Sequence, residues 1–306
     1  MRRQIIVIFS LLLGFALTPA WAEAPKGAAQ AQKHGALFRL EHGGHTSWLF
    51  GTIHVGAPDF FPLEPRLMAA LDKSTALALE VDPAGDPARM MQAVVQHGMY
   101  QPGQGPALDT IGESYRPRLQ KLLQQYSIPS ATIAPMKPWM IASLLTVAEF
   151  AAQGYQADLS VDGWLSRQAK RKKIRVMELE SAGAQMALFD RMTAAEQLRF
   201  LEEGIDAIED QEQAIQARDI TQAWRDADQV KLDALAKKAA EDETFSGRFV
   251  QKVLLEERNP GLADGIVAMM AREKNSFAAI GILHLVGAGS VPELLRQRGV
   301  SVQRVY

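Results

Sequence analysis

Trp48-Leu49-Phe50-Gly51-Thr52-Ile53-His54 reads as a buried strand closing in a Gly-x-x-His turn, and the chain repeats the device near its other end. There Phe277-Ala278-Ala279-Ile280 runs into Gly281-Ile282-Leu283-His284. A third apolar run, Ala76 to Leu79, ends in Glu80-Val81-Asp82. In open α/β sheets, ligands gather outside the carboxyl ends of strands, where loops bring distant residues together. Two imidazoles and a carboxylate delivered to such an edge outline a metal site or an acid–base site. The glycine ahead of each histidine has a physical use, because backbone without a Cβ can bend or admit a close neighbour.

Working outward, Leu37–Leu40 and Thr46–Thr52 are strands around His42-Gly43-Gly44-His45, a hairpin signal. Glu64–Lys73 reads as a short helix and Ala76–Val81 as a strand. Asp86-Pro87 opens a helix to about Tyr100, with Asp86 as its cap. Trp139–Gln153 and Ser160–Lys172 are helical, and Ile174–Met177 is a strand before Glu178-Leu179-Glu180. Thr193–Glu256 has almost no proline and spreads its charges at helical spacing, which predicts a helical layer or lobe with solvated faces. Asn259-Pro260 is a second cap-plus-proline start, of a helix to about Lys274. Ser276–Ile282 is a core strand, Val291–Arg298 a helix and Ser301–Val305 a closing strand. The expected fold is α/β (α+β), with a central mixed sheet assembled from N- and C-terminal strands around a large helical middle. One domain spans 36–306, with a helix-rich insertion at about 183–257.

Arg2 and Arg3, an apolar stretch from Ile5 to Leu17 and the cleavage pattern Ala20-Trp21-Ala22 predict a signal peptide over 1–22. A flexible leader then covers 23–35, and the mature protein is periplasmic or secreted, with no stable membrane insertion after cleavage. Without Arg2 and Arg3 the chain carries 31 Lys and Arg against 35 Asp and Glu, a balance that disfavours nucleic acid as a partner. There is no cysteine, hence no disulfide, no lipid-bearing thiol and no thiolate ligand. Any metal must be held by His, Asp, Glu, Asn or water.

Glu80 is the natural third member beside the two histidines. A carboxylate ending so apolar a run is partly desolvated, which is costly without a cation partner. Asp82 falls on the same face if the strand continues. Glu178 and Glu180 repeat the arrangement after the next strand, and Arg258 could pair with a carboxylate or with substrate. Asn259 has the plainer task of capping its helix. Of the other histidines, His42 and His45 belong in a solvated turn, His34 in the leader and His97 on a helix, between helices or at the surface. There is no phosphate loop, HExxH or G-x-S-x-G pattern. From the residues alone, two hydrogen-bonded histidines at strand ends remain an open reading beside the metal or acid–base site.

The ordered set of motifs resembles the TraB/GumN family, whose animal relatives are the Tiki metalloproteases. It comprises Leu49-Phe50-Gly51-Thr52-Ile53-His54, Leu79-Glu80-Val81-Asp82, Lys137-Pro138-Trp139 and Val161-Asp162-Gly163. Glu178-Leu179-Glu180 with Gln185, Glu257-Arg258-Asn259, Gly281 to Gly287 and Leu294 to Gly299 complete it. One departure is Leu283, where the family often has glycine. The resemblance implies a fold related to erythromycin esterases and haem-binding ChaN proteins, and a site built from both Gly-x-x-His histidines and the early glutamate. It further implies a divalent ion, manganese or cobalt by preference and zinc or iron otherwise, in a peptidase acting on a peptide or protein. On that basis His54, His284 and Glu80 are the expected ligands, with Glu80 a ligand or the base. Glu180, Asp162, Arg258 and Asn259 are expected to orient ligands, move protons or touch substrate. The alternatives are a non-catalytic protein that sequesters a peptide, haem or metal, and a metal-free esterase using one histidine.

Overall fold

In a computed structural model, residues 32–101, 103 and 111–306 are described. The expected signal peptide and most of the leader lie outside them. Six strands form one sheet: β1 (Leu37–His42), β2 (His45–Thr52), β3 (Ala76–Leu79), β4 (Arg175–Glu178), β5 (Asn275–Gly281) and β6 (Ser301–Arg304), in the order β4-β3-β5-β2-β1-β6. β4, β3, β5 and β2 run parallel, while β1 is antiparallel to both β2 and β6. All four residues of β3 and the last six of β5 are buried, as expected of inner parallel strands covered on both faces. Because these four strands point one way, His54, Glu80, Glu180 and His284 all leave the sheet at the same edge.

The helices are α1 (Pro65–Asp72), α2 (Pro87–Ala93), α3 (Arg116–Gln125), α4 (Ser130–Ile133), α5 (Pro138–Ala152) and α6 (Val161–Arg171). They continue with α7 (Ala182–Ala187), α8 (Ala194–Glu209), α9 (Glu212–Arg225), α10 (Gln229–Ala240), α11 (Phe245–Phe249), α12 (Asn259–Met270) and α13 (Val291–Gln297). Two apolar clusters hold the structure together. One lies on the sheet; the other joins α5, α8, α11 and the π-helical turns Val250–Glu256, where Trp139 stacks on Phe189 at 4.3 Å between ring centroids. Thr193 and Glu196 start α8 with a reciprocal capping box. The helical middle is not a free appendage. Trp224 of α9 is fully buried in the sheet cluster and donates its indole N–H to the Gly51 carbonyl at 2.8 Å, beside the first Gly-x-x-His turn. Among the described residues no helix is long and apolar enough to cross a membrane.

Several local expectations are corrected. Part of the expected leader packs on the fold: Gln32 bridges Leu63, and His34 is buried, stacked on Trp224 at 5.2 Å with Nδ1 2.5 Å from the Arg225 carbonyl. His42 and His45 do not stand free in solvent, because they reach back to the Gly299 and Met270 carbonyls. The helix capped by Asp86 passes into a π-helical segment at Val94 and ends at Gly98. β3 ends at Leu79, and Asp82 turns towards α6, where it accepts from Ser166 at 2.5 Å and pairs with Lys170 at 2.7 Å. Arg258, not Asn259, stands at the cap position of α12, which ends at Met270. Asn259 lies inside the first turn, so its side chain is free for another purpose.

Candidate active site

Strand register sets the site. Thr52 lies opposite Gly281, and Leu79 opposite both Ala279 and Glu178, so the four chains leave the sheet level with one another. Pairing persists one step further, with Glu180 N–H donating to the Glu80 carbonyl at 2.9 Å. Gly51 explains how two turns fit side by side. A Cβ there would lie 2.3 Å from Ile282 Cδ1 and 3.0 Å from Leu285 Cδ1, so the glycine of the first motif makes room for the residues of the second. Leu283 is accommodated in the 3-10 turn Ile282–Leu285, which needs no left-handed residue.

Each histidine is oriented through Nδ1. His54 Nδ1 lies 2.8 Å from Asp162 Oδ2, a charge contact too poorly aligned to count as a full hydrogen bond. The other oxygen of Asp162 accepts from Thr52 Oγ1 at 2.5 Å. His284 Nδ1 lies 2.6 Å from Asn259 Oδ1. Asn259 Nδ2 already donates to the Gly289 carbonyl at 2.9 Å, which leaves Oδ1 as an acceptor and makes Nδ1 the protonated nitrogen of His284. Both Nε2 atoms are buried without a hydrogen-bond partner, and both face Glu80. His54 Nε2 is 3.9 Å from Oε1 and His284 Nε2 is 3.7 Å from Oε2.

Glu80 is 4 % exposed and heavily tethered. Its Oε1 accepts from Gly281 N–H at 2.6 Å, while Oε2 takes a charge-assisted bond from Arg258 Nη2 and a longer one, 3.3 Å, from Gln185. The cation that burial of this carboxylate requires is therefore supplied by the chain. Arg258 is itself shared with Glu180, through Nε at 3.0 Å and Nη2 at 2.6 Å, and Gln185 donates to Glu180 at 2.8 Å. Its remaining nitrogen, Nη1, donates to the Leu254 carbonyl at 2.8 Å.

The two histidines titrate in opposite directions. Burial alone would lower His54, but the Asp162 carboxylate, aided by Glu80, overrides it and raises the ring to about 9. Burial dominates at His284 and lowers it to about 3, despite Glu80 nearby. At Glu80, burial is overcome by Arg258 first and then by the histidines, which hold it well below the usual carboxylate range.

The donor set suits a divalent cation. Two imidazole nitrogens and one carboxylate are donor types that can hold such an ion with positions left open, and a polar partner at Nδ1 is the usual support of such ligands. With His54 neutral, the carboxylates of Glu80, Glu180 and Asp162 face one guanidinium, Arg258, leaving two formal negative charges. Among the described residues, no three His, Asp or Glu donors converge closely enough to hold an ion as they stand. Glu80 is drawn instead to Arg258 and Gly281, so His54, Glu80 and His284 would hold an ion only after a small inward shift of this carboxylate.

All seven candidate residues, His54, Glu80, Asp162, Glu180, Arg258, Asn259 and His284, thus meet at one edge, and Asp82 leaves it. Glu178 lies to one side, its Oε1 accepting from Asp82 N–H at 2.9 Å. Thr52 and the Gly281 N–H join the site without having been singled out for it. Thr52 was visible inside the first motif, but only the register against Gly281 shows which neighbour its hydroxyl meets.

The chain is thus an α/β protein with two histidines and a carboxylate gathered where its parallel strands end. It belongs to the TraB/PrgY/gumN family, whose model matches residues 36–304. It is 26% identical over 259 residues to the uncharacterized protein YbaP of Shigella flexneri, covering 83% of this chain and 89% of that one. The uncharacterized YbaP of Escherichia coli (strain K12) is 26% identical over 253 residues, covering 81% and 87%. No solved structure matches the chain.

Proposed function

We propose that the protein is a metal-dependent hydrolase of peptide bonds, with His54, Glu80 and His284 as ligands. One observation carries this reading: imidazoles from two distant motifs, each oriented at Nδ1, turn buried and otherwise unpartnered Nε2 atoms towards one carboxylate. A bound divalent ion, manganese or cobalt by family kinship, would supply an acidified water and polarise the scissile carbonyl. The remaining work belongs to the side chains. His284, neutral with its pKa lowered to about 3, offers Nε2 at once. His54, raised to about 9, must first release a proton, and Asp162 keeps the ring in place while it does so. Glu80 is the ligand and electrostatic partner, because a carboxylate held so far below its ordinary range takes a proton from water poorly. Arg258, itself paired with Glu180, compensates its charge.

The test is metal analysis of the native protein followed by peptide-library cleavage with and without chelator. About one ion per chain and chelator-sensitive cleavage are expected; cleavage that survives complete metal removal would end the reading. A second reading rests on the Asp162–His54 contact, since an imidazolium at neutral pH can act as a general acid with no ion present. Chelator-insensitive hydrolysis lost in His54→Ala would select it. Export to the periplasm or medium is part of the proposal, and N-terminal sequencing of the mature protein should find Glu23 first.

A further inference from the structure

Beside the site, at the same edge of the sheet, lies a pocket of about 320 Å³ between α2, α7 and the ends of β3 and β4. Val81 and Ser181 line it, and they directly follow Glu80 and Glu180. It therefore begins one residue beyond the catalytic edge on two adjacent strands. A peptide residue spans about 3.3 Å, so a substrate with its scissile bond at Glu80 would carry a neighbouring side chain over this opening.

The lining has two chemistries. Val81, Met90, Val176 and Ala182 form apolar walls, and Gly183 leaves open space where a side chain would otherwise project. The acids differ in how they are neutralised. Asp82 is paired with Lys170 at 2.7 Å, and Asp86 faces the exposed Arg89 at 3.9 Å. The Glu178 carboxylate accepts a backbone N–H from Asp82 and has no cationic partner among the described residues. Apolar walls that end at an unneutralised carboxylate suit an alkyl stem with a positive tip.

We infer that this pocket is a specificity subsite, which takes a lysine or arginine side chain of the peptide next to the scissile bond and pairs it with Glu178. The inference rests on the hydrolase reading for what the neighbouring edge does, but binding in the pocket can be measured without turnover.

The experiment profiles a peptide library with wild-type protein, Glu178→Gln, Glu178→Lys and Gly183→Leu. In parallel, anisotropy measures binding of labelled Ala-Ala-Lys-Ala-Ala and Ala-Ala-Glu-Ala-Ala. Gln keeps the oxygen that receives Asp82 N–H, so Glu178→Gln tests charge and not folding. Glu178 is exposed at the end of β4, so wild type should favour Lys or Arg at one fixed position by about two- to fivefold, the worth of one exposed charge pair. Glu178→Gln should erase most of that preference, Glu178→Lys should shift it towards acidic residues, and Gly183→Leu should favour small side chains. Cleavage with no basic preference, or a preference unchanged in Glu178→Gln, overturns the subsite and leaves the hydrolase standing. Glu178-dependent binding of the lysine peptide without cleavage upholds the subsite and removes the hydrolase. Neither cleavage nor discriminating binding removes both.

Discussion

His54 and His284 close two copies of one motif and aim the same ring nitrogen at the same carboxylate, yet their surroundings set them in opposite states. The His54 side chain is 18% exposed and touches the carboxylate of Asp162; that of His284 is 0% exposed and touches the amide of Asn259. A charged neighbour outweighs burial at the first and raises it to about 9, whereas a neutral one cannot at the second, which falls to about 3. The motif therefore fixes where the imidazole goes, and the residue behind it fixes what the imidazole does.

The largest expected effect removes what the two rings share. Glu80→Gln should lower peptide hydrolysis by at least about 100-fold, as for loss of a charged ligand or acid–base group. It should also destabilise the metal-free fold, since breaking a buried pair costs about 3–5 kcal/mol and Arg258 keeps only Glu180 in compensation. Stopped assays and chemical denaturation measure both; unchanged turnover would deny the two histidines a common purpose. His54→Ala and His284→Ala should each abolish most metal uptake, and a single substitution that retained full occupancy would show that the rings serve different ligands.

Next come the residues that make the histidines unequal. Asp162→Asn, which removes the charge contact of His54, and Asn259→Ala, which removes the hydrogen-bond partner of His284, should each weaken metal binding by about 10–100-fold, the usual effect of losing a group that orients a ligand. Asp162→Asn should additionally lower the His54 pKa, an effect that NMR titration of the imidazole protons can follow and that Asn259→Ala should not produce.

The pH dependence separates the rings by sign. Below about 9, metal uptake must displace the His54 proton, so apparent affinity should fall about tenfold per pH unit as pH drops; His284 adds nothing until pH nears 3. In the metal-free protein, His54 is raised above its unfolded value, so its stabilisation is complete below about 6.5 and lost as pH rises through about 9. His284 is lowered, so its part is complete above about 6.5 and lost as pH falls towards 3. Calorimetric metal titrations and thermal melts across this range check both signs. The smallest effect is steric: Gly51→Ala would press a methyl on Ile282 and Leu285 and cost about 1–3 kcal/mol, read from the melting temperature.

The strands and both histidine turns were legible because inner parallel strands are continuous apolar runs and each ends in a recognisable signal. Glu80 was legible for the same reason, and its need for a cation followed from its position. The identity of that cation did not, since Arg258 lies 178 residues away and only the sheet order brings it near. Asn259 shows the limit most plainly: beside Pro260 it reads as a cap, and which way its amide points depends on His284 in a later segment. His34 was hidden by the polar composition around it, although Trp224 and the Arg225 carbonyl provide a buried place for its ring.

The position of β5 also orders the birth of the molecule. It is the next-to-last strand in the chain, yet it lies between β3 and β2, which do not pair with each other. A nascent or truncated chain lacking residues beyond 274 can form only two separate ribbons, β4 with β3 and β1 with β2, each with an exposed edge on the side where β5 belongs. The chain must extend through Gly281 before the two ribbons can be joined. That late insertion between distant partners is a slow step by nature, and until it occurs the open edges invite aggregation and any chaperone that recognises unpaired strands.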